Sequence, residues 1–333
     1  MVFLAAKKGI ILSGMRPTGR LHLGNLFGAL ENWINLQDQY DCYFCVVDWH
    51  ALTTSYEDPG NIQEDIREMV MDWLSCGIDP EKATLFKQSD VVEHAELHLL
   101  FSMLTPLSWL ERCPTYKEQM QQMEGRNLAT YGFLGYPLLQ AADILIYKAN
   151  AVPVGEDQAP HIELTREVAR RFNHLYGKQV FPEPETLLNE FKTIPGLDKR
   201  KMSKSYNNYI EIAISPEKIP EKVRMMITDP ARIRKDDPGN PEICSVFAFQ
   251  RIFNAREAAA IAQECRDGAI GCVQCKNLLA GKMKEYMEPI YHRRKEIESK
   301  PQLVDEVLAR GGEQARRTAQ TTMKEVRSAM GLT

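Results

Sequence analysis

Long hydrophobic runs are missing from this 333-residue sequence. Nowhere do about 18 apolar residues follow one another, so we expect no membrane-spanning helix. The N-terminal M-V-F-L-A-A-K-K has too short an apolar run for a secretory signal peptide, which predicts a cytoplasmic protein. Because thiols stay reduced in that compartment, grouped cysteines there are more typical of metal ligands or core residues than of disulfides.

A strong charge of either sign is also absent. The formal net charge is −4, and the composition of 44% hydrophobic and 26% charged residues is ordinary for a globular protein. Nucleic acid can therefore be contacted only through a local basic patch. Residues 281–333 hold 11 Lys and Arg against 8 Asp and Glu. The concentrated positive charge comes mostly from His292, Arg293, Arg294, Lys295, Arg316 and Arg317.

Apolar runs that suit buried strands alternate with segments of helical spacing. The predicted strands are 7–13, 42–48 and 83–89, and the predicted helices are 23–39, 61–76 and 94–104. This alternation predicts an α/β fold, a doubly wound, Rossmann-type domain with a parallel sheet, whose ligands bind beyond the carboxyl ends of the strands. After residue 220 the pattern is helical without a convincing strand, which predicts a second, helical domain.

The segment G-M-R-P-T-G-R-L-H-L-G-N, residues 14–25, stands where the first predicted strand turns into the first helix. Glycines let the backbone approach a phosphate, and a helix start offers free N–H groups and a positive dipole end. His22 and Asn25 can aim hydrogen-bond donors at the same oxygens. The alternative is an ordinary strand-to-helix turn with a capping residue.

A second motif, K-M-S-K-S at residues 201–205, follows Lys199 and Arg200 in a polar stretch without periodicity. We expect a mobile loop there. Its lysines and hydroxyls can close over a triphosphate and neutralise a leaving pyrophosphate. The alternative is a solvated basic loop.

These two motifs resemble the paired signatures of class I aminoacyl-tRNA synthetases, with H-L-G-N in the H-I-G-H position and K-M-S-K-S matched letter for letter. Between them, an apolar helix carries one carboxylate, Asp143. Burial requires a donor for this carboxylate, and an indole N–H is a donor without acceptor capacity. A neighbouring Arg or Lys, or a helix cap, would satisfy it equally. The G-E-D-Q segment at 155–158 can cap a helix or contact a ribose or an ammonium group.

The block from 135 to 173, with V-P-V before G-E-D-Q, closely resembles tryptophanyl-tRNA synthetases. The resemblance implies that Asp143 recognises the indole nitrogen, that His50 and Gln158 lie near the tryptophan amino and carboxylate groups, and that Gln140 lines the amino-acid pocket. It implies ATP binding by Arg16, Pro17, Thr18, Gly24, Asn25, Gly155, Glu156, Asp157, Lys201, Met202, Ser203, Lys204 and Ser205. Arg16 and Gln140 depart from many bacterial members, which have Gln and Met there.

The resemblance also implies the reaction and the partners. Tryptophan attacks Mg²⁺-ATP to form tryptophanyl-adenylate, and tRNA(Trp) then accepts the tryptophanyl group. His22, Asn25, Lys201 and Lys204 would act by positioning and charge stabilisation. Residues 1–200 would form the catalytic domain, 201–210 the mobile loop, and 211–333 the helical anticodon-binding domain, whose last helix is a candidate to pack back on the catalytic domain. A homodimer is expected from the family. Two alternative functions are another adenylyltransferase and a non-enzymatic, metal-containing tRNA-binding protein.

Four cysteines cluster in the predicted helical domain: Cys244, Cys265, Cys272 and Cys275. A C-x2-C pair with nearby thiols and glycines can converge on a metal. Zinc sites more often pair two close couples, whereas this pattern has one couple and two outlying cysteines. It resembles a subgroup of bacterial tryptophanyl-tRNA synthetases that hold a [4Fe-4S] cluster. A structural zinc and thiols without a metal remain alternatives. Cys42 and Cys45, three apart on a strand, should lie on opposite faces as core residues.

Overall fold

The computed structural model describes residues 7–114, 116, 129–188 and 194–333. The first six residues lie outside this range. They contain the short apolar run that was considered above as a signal peptide. No helix in the described part of the chain is long and apolar enough to cross a membrane.

Five parallel strands form one sheet. They are β1 Ile10–Met15, β2 Asp41–Val46, β3 Ala83–Lys87, β4 Ala151–Val154 and β5 Glu185–Leu188, in the order β3-β2-β1-β4-β5. The three strands that the sequence predicts are confirmed within a few residues. β4 and β5 escaped prediction because each has four residues, and because Pro153 within β4 is unusual in a strand.

Helices cover the sheet and make up the rest of the chain. Before β5 they are α1 Leu23–Asn25, a π-helical turn Leu26–Leu30, α2 Glu31–Leu36, α3 Asp48–Ser55, α4 Ile62–Cys76, α5 Glu93–Ser102, α6 Leu107–Glu111, α7 Tyr131–Ile146 and α8 Ala159–Tyr176. After β5 they are α9 Ile219–Met225, α10 Ser245–Phe253, α11 Ala258–Arg266, α12 Cys272–Glu298 and α13 Leu303–Ala329. From residue 194 onward the structure contains helices, short turns and isolated bridges but no further strand, which confirms the predicted helical region.

Both faces of the sheet are buried, as a parallel sheet requires. On β2, Cys42 and Phe44 belong to the core that α2, α4 and α12 cover, whereas Tyr43 and Cys45 belong to the core that α5, α7 and α8 cover. The prediction that Cys42 and Cys45 occupy opposite faces is confirmed. Trp33 stacks on Phe44 with 4.4 Å between ring centroids.

Helix α13 returns to the sheet and packs against β3. Gly311 lies so close to β3 that a Cβ there would stand 1.8 Å from the carbonyl oxygen of Leu85. Further along α13, side chains enter the core beside α5, α7 and α8: Ala315, Ala319, Met323 and Val326. Arg327 pairs with Glu96 at the end of this contact. The last helix therefore fills part of the core of the α/β domain.

The basic run at 292–295 is only partly a surface feature. Arg294 is 1% exposed and lies between α12 and α4, where Glu68 and Asp72 pair with it. Arg293 donates to the carbonyl oxygen of Ser75. The interpretation of this run as a source of local positive charge is therefore wrong for Arg294, whose charge is neutralised inside the protein.

Candidate functional site

A pocket of about 370 Å³ lies between β1 and β4, near the carboxyl ends of the strands. The strand order changes direction there, since β2 and β3 lie on one side of β1 and β4 and β5 on the other. Open α/β sheets bind ligands at this switch point. Residues at the ends of both strands line the pocket, from Leu12 to Gly14 and from Val152 to Gly155.

Asp143 of α7 lines this pocket and is 2% exposed. Three side chains donate to its carboxylate: His50 Nε2 at 2.9 Å, Gln88 Nε2 at 2.8 and 3.0 Å, and His94 Nδ1 at 2.6 Å. Burial opposes ionisation, but the two histidines outweigh it and lower the pKa of Asp143 to about 2. Asp143 is therefore a carboxylate acceptor at neutral pH.

His94 is itself held on its other side. Its Nε2 lies 2.7 Å from Tyr147 Oη, so a Tyr147–His94–Asp143 chain runs through the core behind the pocket. Neither expected alternative partner, an Arg or Lys or a helix cap, bonds Asp143 in the described chain. Sequence reasoning missed Gln88 and His94 because they follow β3, far from Asp143 along the chain.

The other predicted amino-acid residues also reach the pocket. Gln140, Gln158 and His50 line it, as does Arg16. Gln158 Oε1 accepts from His161 Nδ1 at 2.9 Å. Burial lowers the pKa of Arg16 from its ordinary value, and no acceptor among the described residues bonds its guanidinium. The pocket thus holds one buried carboxylate and one cation available to an anionic group.

Among the lining residues that the sequence analysis did not single out are Asn32 and His161. Asn32 Nδ2 is buried without a hydrogen-bond partner in the described part of the chain. His161 is neutral near pH 7 because burial lowers its pKa to about 4, and its Nε2 lies 3.3 Å from Tyr136 Oη. His161 follows Gln158 by three residues, which places both on the same face of a helix. This spacing could have identified His161 as a pocket residue.

The H-L-G-N segment enters α1 beside the pocket. Asn25 Oδ1 accepts from the backbone N–H of His22 at 3.0 Å. Burial and the nearby Lys204 lower the pKa of His22 to about 4, so its imidazole is neutral. Its Nδ1 is buried and lacks a partner among the described residues. Gly24 is needed there, since a Cβ would meet the His22 ring at 2.9 Å.

The K-M-S-K-S loop closes against this turn. Lys204 Nζ donates to the carbonyl oxygen of Thr18. Met202 is buried beside Gly24, and Asn208 holds the loop base by bonding Ser203 N and the carbonyl oxygen of Lys201. The structure therefore brings the two phosphate motifs into contact. Some predicted ATP residues do not line the pocket itself: Pro17, Thr18, Gly24, Asn25, Glu156, Asp157, Lys201, Met202, Ser203, Lys204 and Ser205.

The four clustered cysteines lie together in the helical region. Cys244, Cys265, Cys272 and Cys275 line one cavity of about 20 Å³ beneath α10, α11 and α12. Arg232 donates to Cys265 Sγ at 3.7 Å and Gln250 to Cys275 Sγ at 3.5 Å. Within the described residues no group of three or more His, Cys, Asp or Glu side chains is arranged as a metal site.

The sheet is parallel and has five strands, and its switch point carries a pocket. Beside this pocket, H-L-G-N contacts K-M-S-K-S. Together these features define a class I aminoacyl-tRNA synthetase. The family model for class I tRNA synthetases of the W and Y type matches residues 5–288. The tryptophan–tRNA ligase of Thermotoga maritima is 53% identical over 97% of this chain and 99% of its own. That of Aquifex aeolicus is 45% identical over 97% and 99%. The chain belongs to the tryptophan–tRNA ligases of this class.

A solved relative agrees with this assignment. The tryptophanyl-tRNA synthetase of Campylobacter jejuni, in complex with ADP and tryptophan, superposes with a TM-score of 0.86 at 32% identity. The match covers 97% of this chain and 100% of the relative. The doubly wound fold predicted from the sequence is confirmed.

Proposed function

We propose that this enzyme activates L-tryptophan with Mg²⁺-ATP to tryptophanyl-adenylate and then transfers the tryptophanyl group to tRNA(Trp). The observation that carries the proposal is the ionised, buried carboxylate of Asp143 in the pocket at the switch point. An indole N–H can only donate, so an acceptor-only group at this depth suits tryptophan. A phenol hydroxyl would gain less from it, because His50, Gln88 and His94 already donate to Asp143 and would leave the lone pairs of the phenol oxygen without a donor.

The amino-acid end of the substrate would lie toward Arg16, Gln140 and Gln158. Arg16 offers its guanidinium to the tryptophan carboxylate or to the α-phosphate. Asn32 adds a buried amide donor without a partner among the described residues. His50 binds Asp143 directly, so we assign it to the indole end instead of the amino and carboxylate groups.

ATP would occupy the turn between β1 and α1, with its phosphates under the K-M-S-K-S loop. The Nδ1 of neutral His22, which has no partner among the described residues, lies beside Gly24 in this turn. Lys204, already seated against Thr18, would follow the negative charge that develops on the leaving pyrophosphate. Lys201, Ser203 and Ser205 would close over the outer phosphates as the loop moves. No side chain forms a covalent bond to substrate in this scheme.

A pyrophosphate-exchange assay tests the proposal. Labelled pyrophosphate should enter ATP when tryptophan is present, and at a much lower kcat/KM with tyrosine. Exchange with neither amino acid would refute adenylate formation. Equal exchange with both would refute the role of Asp143 in choosing the indole.

The region from residue 211 onward would bind tRNA. A groove of about 780 Å³ opens next to the four cysteines, and Arg232, Arg234 and Lys235 line it. These cations would contact anticodon phosphates. A homodimer and a cytoplasmic location complete the proposal. Exposed apolar side chains on α5, on α6 and between them support a subunit contact: Leu99, Met103 and Leu107. The molar mass in solution tests it.

The four cysteines would hold a [4Fe-4S] cluster, with structural zinc as the alternative. The proposal is supported by two observations: all four side chains line one cavity, and two of the sulfurs already receive hydrogen bonds. Such bonds are common around cluster sulfurs. The cluster would stabilise the junction of α10, α11 and α12 beside the proposed tRNA groove and take no part in adenylation.

Anaerobic purification with iron and zinc analysis identifies the metal. About four iron atoms per chain support the cluster, whereas one zinc supports the alternative. Cys272→Ser should abolish metal binding and weaken tRNA charging while tryptophan-dependent exchange continues. Cys76→Ser serves as the control, because Cys76 is a buried cysteine of α4 that does not line the cavity of the other four. Normal metal content in the Cys272 variant would refute the ligand assignment.

A further inference from the structure

We propose that Arg294, in α12 of the helical region, is a positioning residue for adenylate formation that acts through Asp72 on the backbone of Leu21. Leu21 immediately precedes His22 of the H-L-G-N segment. The inference rests on the proposed function and adds a residue to it that neither contacts the pocket nor belongs to either phosphate motif.

Arg294 is bonded through all three of its nitrogens. Nη1 donates to Asp72 Oδ1 at 2.7 Å and to the Glu68 carbonyl oxygen at 2.8 Å. Nη2 donates to Glu68 Oε2 at 2.6 Å, and Nε to Glu298 Oε1 at 3.1 Å. The planar guanidinium therefore fixes the orientation of the Asp72 carboxylate, which a flexible ammonium would not do as well.

Asp72 connects Arg294 to the backbone of the phosphate turn. Its side chain is 2% exposed, and its Oδ2 accepts from the Leu21 N–H at 2.6 Å. The carbonyl oxygen of Leu21 accepts from Ile212 N at 3.0 Å. Both polar backbone atoms of Leu21 are thus bound, and the chain enters His22 with little freedom.

The same contacts reach the base of the K-M-S-K-S loop. The N–H of Leu23 donates to the carbonyl oxygen of Ile210 at 3.0 Å, so residues 21–23 pair with 210–212 just after the loop. Arg20 bonds Glu68 at 2.8 Å and Glu211 at 3.5 Å. One network therefore joins α12, α4, the phosphate turn and the segment that carries the loop.

The indole end of the pocket stands apart from this network. Asp143 is held by residues of α3, α5 and the end of β3, none of which contacts Asp72 or Arg294 in the network above. Disturbing Asp72 should therefore change the rate of adenylation and leave tryptophan binding intact. A purely structural role would instead lower stability and affect both parameters together.

Two neutral double variants separate these roles in pyrophosphate exchange. Asp72→Asn with Arg294→Gln keeps an acceptor for the Leu21 N–H, whereas Asp72→Leu with Arg294→Met removes it without leaving a buried charge unpaired. We expect the first to lose about three- to tenfold in kcat, because Leu21 keeps an acceptor that the guanidinium no longer fixes, and the second to lose more, on the order of 10- to 100-fold. The tryptophan KM should stay within about threefold in both.

Arg67→Gln is the matched control, because it breaks an exposed ion pair between α4 and α13, Arg67–Asp305 at 2.7 Å. It should leave both parameters unchanged. Arg294→Lys keeps the charge but loses the fork, and gives a second test if the apolar pair does not fold: kcat should fall while KM holds. Wild-type kcat in folded Leu/Met or Lys variants would overturn the inference, as would equal losses in the Asn/Gln and Leu/Met pairs. Absence of tryptophan-dependent exchange in the wild type would instead overturn the proposed function.

Discussion

Replacing Asp143 with Asn tests the central contact of the pocket at nearly constant volume. Gln88 donates to both carboxylate oxygens, and a histidine donates to each of them as well. An amide nitrogen in either orientation therefore faces a donor. The variant loses both the negative charge and one acceptor position beside the indole.

The size of the effect follows from the kind of bond that is lost. A hydrogen bond to a charged acceptor contributes about 1.5–3 kcal/mol, which corresponds to roughly 10- to 100-fold in affinity. We expect the tryptophan KM of Asp143→Asn to rise by that factor, with the ATP KM changed by less than about threefold. The unsatisfied donors should also lower the free energy of unfolding by about 1–3 kcal/mol.

The assay is tryptophan-dependent pyrophosphate exchange, with thermal melting in parallel. Asp229→Asn is the matched control, because Asp229 is also a buried carboxylate but accepts from Ala231 N and Asn240 N, and none of these three residues lines the pocket. That variant should melt earlier and keep its tryptophan KM. An unchanged tryptophan KM in Asp143→Asn would refute the indole assignment.

The remaining predictions concern the phosphate site and the last helix. Lys204→Ala should lower the adenylation kcat on the order of 100-fold with little change in tryptophan KM. An unchanged rate would favour the alternative that K-M-S-K-S is a solvated basic loop. Because the pKa of His22 is lowered to about 4, its imidazole stays neutral as pH falls through 6.5, and an NMR titration of its ring should show no transition there. A transition of this ring centred near 6.5 would contradict a buried, neutral His22. Gly311→Ala would push a methyl into Leu85 and lower the free energy of unfolding by about 1–3 kcal/mol; an unaltered melting temperature would disprove this tight contact.

The α/β fold could be predicted from the sequence because β1, β2 and β3 are apolar runs bounded by helices with clear spacing. Helix α4 ends at residue 76, as predicted, and the residue after it is Gly77, whose φ of 115° favours glycine. The short strands β4 and β5 lacked this signal. These two strands form because the rest of the sheet offers hydrogen-bond partners to their backbone groups. The local sequence alone does not specify this pairing.

The site was predictable in so far as its residues belong to contiguous motifs. H-L-G-N and K-M-S-K-S can be recognised by their composition. Asp143 can be recognised because it is a single carboxylate in an apolar helix. Its partners Gln88 and His94 were not predictable, because they reach Asp143 only once β3 has paired with β2 and α5 has packed on α7. Arg294 was misjudged for the same reason: a basic run indicates surface charge until a buried carboxylate meets one of its members.

The packing of α13 on β3 bears on the order in which the protein can be made. The core beside α5, α7 and α8 is incomplete until Ala315, Ala319, Met323 and Val326 arrive. Domains usually fold during synthesis from the N-terminal side. Here the nucleotide-binding domain would leave the ribosome with an open apolar face for some 150 residues of further translation, from β4 to α13. We therefore expect chaperones to bind this face during that interval. The domain should reach its final fold only after α13 has emerged.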